Sequence, residues 1–218
     1  MISNGVSVVT TTWNEQENIE KLVLTTKNVL CQVQHEIIVV DDTSPDGTIQ
    51  IAKKVTDIAI SKPREGQTKG LLCGMGLAKY ATIITIDADL ENDPAYILSL
   101  VKQAARFDVV VACRTKLPRI SEKICSKTLG KLVGVTDTLS NFRAYRKDTI
   151  PKFNLKGGET FGAEFLVIAK KQGLRIGQIK YKAPPRRRKP RIGGTIKANL
   201  RILWALVKSL TIYLLYDL

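Results

Sequence analysis

Short β-branched runs recur along the first half of the chain, each followed by a helical pattern, and this alternation restricts the fold more than any other feature. Val6–Thr11, Glu36–Val40, Asp57–Ser61, Thr82–Ile86 and Val109–Cys113 read as strands. Between the first two lie Ile19, Leu22, Val23, Thr26, Val29 and Leu30, spaced as one face of a helix. Helices are expected again over Thr48–Val55, over Thr68–Lys79, and from Pro94 to about Arg106. The second of these is rich in glycine and small residues, which suits close approach to a neighbouring backbone. Strands alternating with helices build right-handed βαβ units, and so an α/β, doubly wound, mainly parallel sheet with helices on its faces. Ligands of such sheets bind at the carboxyl edge of the strands.

The fourth run ends abruptly in acids: Thr82–Ile86 gives way to Asp87-Ala88-Asp89-Leu90-Glu91-Asn92-Asp93-Pro94. A turn after the strand can bring Asp87 and Asp89, with Glu91 nearby, to one point at that edge. Converging carboxylates repel one another unless a cation lies between them, and oxygen-only ligands suit Mg²⁺ or Mn²⁺. The usual partner of such a half-built site is a diphosphate. The competing interpretation is that Asp87 merely ends the strand while Asp93 caps the next helix with Pro94 at its first position.

The second half is less regular. Arg114–Lys131 is a basic stretch of loop and helix, Asn141–Tyr145 a short strand, Phe161–Lys171 an amphipathic helix and Arg175–Tyr181 another strand. Lys182–Thr195 holds Arg186-Arg187-Arg188-Lys189 and Arg191 among prolines and glycines that oppose regular structure. Ile196–Tyr216 reads as an apolar, amphipathic C-terminal helix that Lys208 interrupts near its middle, so lying at a membrane interface or packing on the domain is easier than crossing. The chain therefore divides into a catalytic domain over 1–195 and an apolar helix over 196–218.

Lys and Arg number 34 against 20 Asp and Glu, a formal charge of +14, so an anionic partner is expected: nucleotide, nucleic acid or an acidic membrane surface. Aromatic residues are only 6% and do not interleave with the basic run, which argues against specific nucleic-acid binding. Cys31, Cys73, Cys113 and Cys125 show no metal-binding spacing, and His35 is the one histidine. They read as reduced core thiols of a cytosolic protein. No basic segment followed by a long apolar core opens the chain, so the catalytic part is expected to face the cytosol.

Four ordered stretches carry a resemblance: Val8–Ile19 with Thr11-Thr12-Trp13-Asn14-Glu15, Val39–Thr48 with Asp41-Asp42, Lys69-Gly70-Leu71, and Asp87-Ala88-Asp89-Leu90. Together they resemble the inverting GT-A-fold glycosyltransferases of family 2, above all the dolichyl-phosphate mannose synthase group. The likeness continues more weakly through Ser140-Asn141-Phe142-Arg143 and the helix bearing Glu164. The chain departs from the family's usual Pro-Thr-Tyr-Asn-Glu in the first stretch, and has Glu91 where the family often has Gln.

The resemblance implies a nucleotide-sugar donor held by Thr11, Trp13, Glu15, Asp42, Lys69 and Asp87, with Asp87 and Asp89 on Mg²⁺ or Mn²⁺ and Glu91 either a third ligand or only a neighbour of the metal. For Trp13, core packing is an equal alternative to a wall for the base. It further implies transfer of a hexose, mannose from GDP-mannose first among them, to a dolichyl or polyprenyl phosphate by a protein bound peripherally to an anionic membrane surface. Such an acceptor is already anionic and needs cations rather than a strong base. Asp89, Arg143 and Arg188 are the expected catalytic residues, guanidinium suiting phosphate. The residues that close the site are either Arg188 with Lys189, or Arg191, Thr195 and Lys197. Asp137 and Glu164 are the remaining candidates for a base.

Overall fold

The computed structural model describes residues 5–152, 155, 161–184 and 195–215. In chain order the elements are β1 (Val6–Thr12), α1 (Ile19–Val29), β2 (His35–Asp41), α2 (Thr48–Val55), β3 (Ile58–Ser61), α3 (Gln67–Leu77), β4 (Thr82–Thr85) and α4 (Ile97–Ala104). They continue with β5 (Val109–Arg114), α5 (Ile120–Lys127), α6 (Leu129–Val133), β6 (Arg143–Arg146), α7 (Phe161–Lys171), β7 (Ile176–Tyr181) and α8 (Thr195–Leu215). The strands form one seven-stranded sheet in the order β3-β2-β1-β4-β6-β5-β7.

All pairings are parallel except those of β6, which runs antiparallel between β4 and β5 with Arg143 opposite both Thr85 and Val111. The expected mainly parallel sheet is thus present, with one reversed strand. The alternation of side chains along each strand sorts the core into two layers. Val8, Ile37, Val39 and Ile84 pack under α1 and α4, whereas Val9, Ile38, Val40 and Ile83 pack under α3 and α7. Each such fully buried aliphatic side chain contributes about 1.5–3 kcal/mol.

The glycine-rich helix lies close on the sheet, as its composition suggested. A Cβ on Gly74 would stand 2.4 Å from a methyl of Val9 and 3.1 Å from one of Val40, and a Cβ on Gly70 would meet the Thr11 methyl at 2.7 Å. That contact fixes the start of α3, and with it Gln67, against the carboxyl ends of β1 and β2.

Several expectations need correction. The helix after Pro94 begins as a 3₁₀ turn over Pro94–Tyr96 and ends at Ala104, and the basic stretch from Arg114 holds two short helices rather than one. Cys113 and Cys125 are buried thiols, but Cys31 is exposed. The C-terminal helix packs one face on α7 and α5, burying Ala198, Ala205, Leu206 and Ser209. Its other face leaves Ile196, Leu200, Trp204, Val207, Leu214 and Leu215 open to solvent.

Candidate active site

Three loops at the carboxyl edge of the sheet each contain a non-glycine residue in the left-handed region: Asn14 after β1 (φ 57°), Thr43 after β2 (φ 59°) and Leu90 after β4 (φ 61°). For a β-branched residue such as Thr43 this backbone is strained, and strain of this kind collects at functional sites. Cross-links hold the first two loops together. Thr12 Oγ1 donates to Asp41 Oδ1 at 2.7 Å, the Asn14 amide to Ser44 Oγ at 3.0 Å, and the Glu15 amide to Thr48 Oγ1 at 2.9 Å. Asp41 is therefore structural, its second oxygen taking the Ser44 amide at 2.7 Å. Asp46 and Gly47 make the turn that their identities suggested, with Asp46 Oδ1 accepting from Thr48 N and Gly47 left-handed at φ 89°.

Asp87 and Asp89 follow β4 directly. Asp87 Oδ1 accepts from Gln67 Nε2 at 2.7 Å and Oδ2 from Asn92 Nδ2 at 3.4 Å. Burial pushes the Asp87 carboxyl above the usual aspartate range, against the pull of these two amides. Asp89 is crowded by the walls of the site and faces the charges of Asp87, Glu91 and Glu15, and is pushed up to about 7. Its Oδ1 accepts the Glu91 amide at 3.0 Å. Asp87, Asp89 and Glu91 do not close into a three-carboxylate cluster of metal-ligand geometry, and no such cluster of His, Cys, Asp or Glu occurs among the described residues. Glu91, expected as a third ligand or only a neighbour, stands beside the two aspartates on the wall of the cleft. What remains is an all-oxygen pair with excess negative charge, and that donor chemistry fits a hard divalent cation completed by ligand oxygens.

These acids open onto a cleft of about 1210 Å³ walled by the β5–α5 segment, the loop before β6, and α8. Its cations are partly committed. Arg114 Nε donates to Asp137 Oδ2 at 2.7 Å and Nη2 to Oδ1 at 3.2 Å, while Arg119 Nη1 donates to Glu122 Oε1 at 3.1 Å. Lys116, Lys123 and Lys208 add charge to the same walls, and Trp204 of α8 both lines the cleft and reaches solvent, 61% exposed.

The remaining expected residues are distributed unevenly. Glu15 is buried and within electrostatic reach of Asp89, and its carboxylate accepts from Asn18 Nδ2 at 2.7 Å. Trp13 is half-buried with the Arg64 guanidinium 3.8 Å over its ring, and Thr11 is half-buried beneath α3. Asp42 lies on β2's edge, separated from β4 by β1, and pairs with Lys62 Nζ at 2.7 Å while taking the Gly66 amide at 3.1 Å. Lys69, expected on the nucleotide, is exposed and bound to Glu65 at 2.6 Å, one turn back on the rim.

Arg143 is fully buried, its guanidinium donating to the carbonyls of Ser140 (2.6 Å) and Thr138 (2.9 Å). It braces the loop before β6, its guanidinium buried behind the cleft-lining Ser140, Asn141 and Gly162. Asp137 is held by Arg114 and Glu164 is buried in α7, so neither is placed as a base. Arg186, Arg187, Arg188, Lys189 and Arg191 lie outside the described residues. The residues that the sequence did not single out are Gln67, Asn92, Arg114 and Tyr181. The first, second and last are uncharged, and their partners are distant in the chain, so motif spacing carried no signal for them.

Residues 7–168 match glycosyl transferase family 2. The chain belongs to this family. The family 2 chain is 31% identical over 162 residues to an undecaprenyl-phosphate 4-deoxy-4-formamido-L-arabinose transferase of Pseudomonas fluorescens (strain Pf0-1), covering 66% of this chain and 48% of that protein. It is 30% identical over 165 residues to a dolichol-phosphate mannosyltransferase of Pyrococcus furiosus, covering 66% and 47%. It thus spans about half the length of the curated relatives it matches. Among solved structures it is similar to glucosyl-3-phosphoglycerate synthase of Mycobacterium tuberculosis in complex with Mn²⁺, UDP and glucosyl-3-phosphoglycerate (TM-score 0.78, 20% identity, 95% of this chain and 80% of that one). Mannosyl-3-phosphoglycerate synthase of Rubrobacter xylanophilus gives a TM-score of 0.79 at 15% identity, over 96% and 74%. At these identities the likeness establishes the GT-A fold of the glycosyltransferase.

Proposed function

We propose that the protein transfers a hexose, with inversion, from a nucleotide sugar to a polyprenyl or dolichyl phosphate at the cytosolic face of a membrane, with mannose from GDP-mannose as the first donor to test. The observation that carries this reading is the position of α8: one edge of the helix walls the cleft in front of Asp87 and Asp89, and its outer face is an exposed apolar stripe. An acceptor with an anionic head and a lipid tail would meet both. The similarity to two polyprenyl-phosphate sugar transferases supports the same acceptor class.

Glu15, Trp13, Thr11 and Asp42 line the donor side, where an indole offers a flat wall to a base and carboxylates accept hydrogen bonds from base or ribose. Asp87 and Asp89 would hold Mg²⁺ or Mn²⁺, which supplies charge neutralisation for the departing nucleoside diphosphate. The acceptor phosphate oxygen forms the new bond to the anomeric carbon as the bond from that carbon to the diphosphate breaks. Because the phosphate is already ionised, no residue must take its proton. Lys116, Lys123 and Lys208 raise the positive potential of the cleft wall for that anion. Arg188, Lys189, Arg191 and Lys197 are retained as candidate closing cations.

Radiolabelled GDP-mannose, UDP-glucose and other nucleotide sugars, incubated with polyprenyl phosphate and Mn²⁺ or Mg²⁺, should deliver label to the organic phase with one donor and none with metal chelated. 3-Phosphoglycerate serves as the water-soluble control acceptor. Label reaching it and never the lipid would sink the lipid-acceptor reading.

A further inference from the structure

The two amides on Asp87 are themselves oriented. Gln67 Oε1 accepts from Asn141 Nδ2 at 3.1 Å, which turns its Nε2 toward Asp87 at 2.7 Å. Asn92 Oδ1 accepts from the Tyr181 hydroxyl at 2.6 Å, which turns its Nδ2 toward the other Asp87 oxygen. A primary amide can present either its oxygen or its nitrogen, and only the nitrogen is compatible with a carboxylate. The outer donors therefore choose the inner ones. The five side chains come from α3, the β4 loop, the loop before β6, and β7, so the arrangement ties the donor half of the sheet to the acceptor half.

The geometry points to Gln67 and Asn92, with Tyr181 behind Asn92, as positioning residues that fix the Asp87 carboxylate in rotation so that it presents a free lone pair on each oxygen to a divalent cation. This rests on the proposed metal-dependent glycosyl transfer. Each carboxylate oxygen has two acceptor sites, and one amide per oxygen leaves the second open. The 2.7 Å bond from Gln67 is well formed whereas the 3.4 Å contact from Asn92 is at the long end, so Gln67 carries the larger share. Tyr181 is buried and packed edge-on against Phe142 (5.8 Å) and beside Tyr96 (5.3 Å), so its ring stays in place when the hydroxyl alone is removed.

The test is calorimetric titration of GDP and of UDP into the wild-type protein and into Gln67→Leu, Asn92→Leu and Tyr181→Phe, each with and without Mn²⁺, alongside thermal melts. Orienting partners of metal ligands commonly change metal affinity by about 10–100-fold, and Gln67→Leu is expected at about tenfold, in the Mn²⁺-dependent part of the affinity only. Asn92→Leu and Tyr181→Phe should lose less, in the same component, with metal-free nucleotide binding unchanged and the melting temperature lowered by only about 5 °C, the effect of one buried hydrogen bond left unpaired. Tyr181→Phe is the decisive variant, since it touches neither Asp87 nor any ligand and leaves the fold intact. Wild-type Mn²⁺-dependent affinity in both Gln67→Leu and Tyr181→Phe would overturn the proposal, as would equal loss with and without metal. Absence of any Mn²⁺-dependent binding in the wild type would instead overturn the functional reading and this inference with it.

Discussion

Arg114 grips Asp137 through two nitrogens, at 2.7 and 3.2 Å, while its Nη2 lies 3.7 Å from Glu122. The two carboxylates outweigh burial and hold the guanidinium more firmly protonated than a free arginine. The pair anchors the β5–α5 wall of the cleft, and removing its buried acid would strand a charge. Asp137→Asn should therefore destabilise the fold by about 3 kcal/mol in chemical denaturation. A general base would behave differently, with turnover abolished and stability unchanged.

The outer face of α8 can be tested without removing the helix. Truncation would uncover the α7 surface that Leu206 and Ser209 cover, so loss of membrane binding after deletion would be confounded by loss of fold. Leu200, Val207 and Leu214 are 61%, 52% and 75% exposed and can be changed to Glu together with the core undisturbed. Flotation with anionic liposomes should fall at least about tenfold, the combined effect of lost apolar burial and added negative charge. Unchanged flotation would remove α8 as the membrane contact.

Asp108 gives the fold a calculable acid response. It accepts the Arg175 amide at 2.9 Å and two guanidinium contacts at 3.1 Å, and these partners hold its carboxyl down to about 2. An unfolded aspartate titrates near about 3.9. Because the folded value is the lower, the stabilisation is complete above the unfolded value and is lost as pH falls through about 2. Asp108→Asn should flatten the dependence of melting temperature on pH across that window. An identical acid slope in the variant would count against the assignment.

Gly74→Ala places a methyl where Val9 already stands at 2.4 Å. Since Val9 is a branched, fully buried side chain, the helix must move, at a cost of about 1–3 kcal/mol. Because α3 carries Gln67, Mn²⁺-dependent nucleotide binding should weaken as well. Gly76→Ala, with nothing within 4 Å of the new methyl, is the control and should be neutral or stabilising in the same denaturation series.

The strands and the helices between them were legible because each buried run is β-branched and each helix keeps one apolar face. The reversal of β6 was not, since Arg143-Ala144-Tyr145 looks the same in either direction and only its pairing with Thr85 and Val111 fixes it. Asp87 and Asp89 were legible from an apolar strand ending in acids. Charge in a sequence does not reveal exposure: Arg143 is buried under α7, whereas Lys69 is turned out onto the rim beside Glu65. Gln67 and Tyr181 escaped notice because their chemistry depends on partners 20 residues away for Gln67 and 89 for Tyr181.

The most direct measurement is transfer itself, comparing wild type with Asp89→Ala. Asp89 lies on the open side of the paired acids, so its loss leaves the diphosphate charge uncompensated and the surrounding packing untouched. Each protein is incubated with the labelled nucleotide sugar that the donor panel selects, a short polyprenyl phosphate and Mn²⁺, and label is counted in the organic phase. The expected result is Mn²⁺-dependent transfer by the wild type and a loss of at least about a hundredfold in Asp89→Ala with its melting temperature preserved. Undiminished transfer by Asp89→Ala, or wild-type transfer indifferent to chelation, would contradict it.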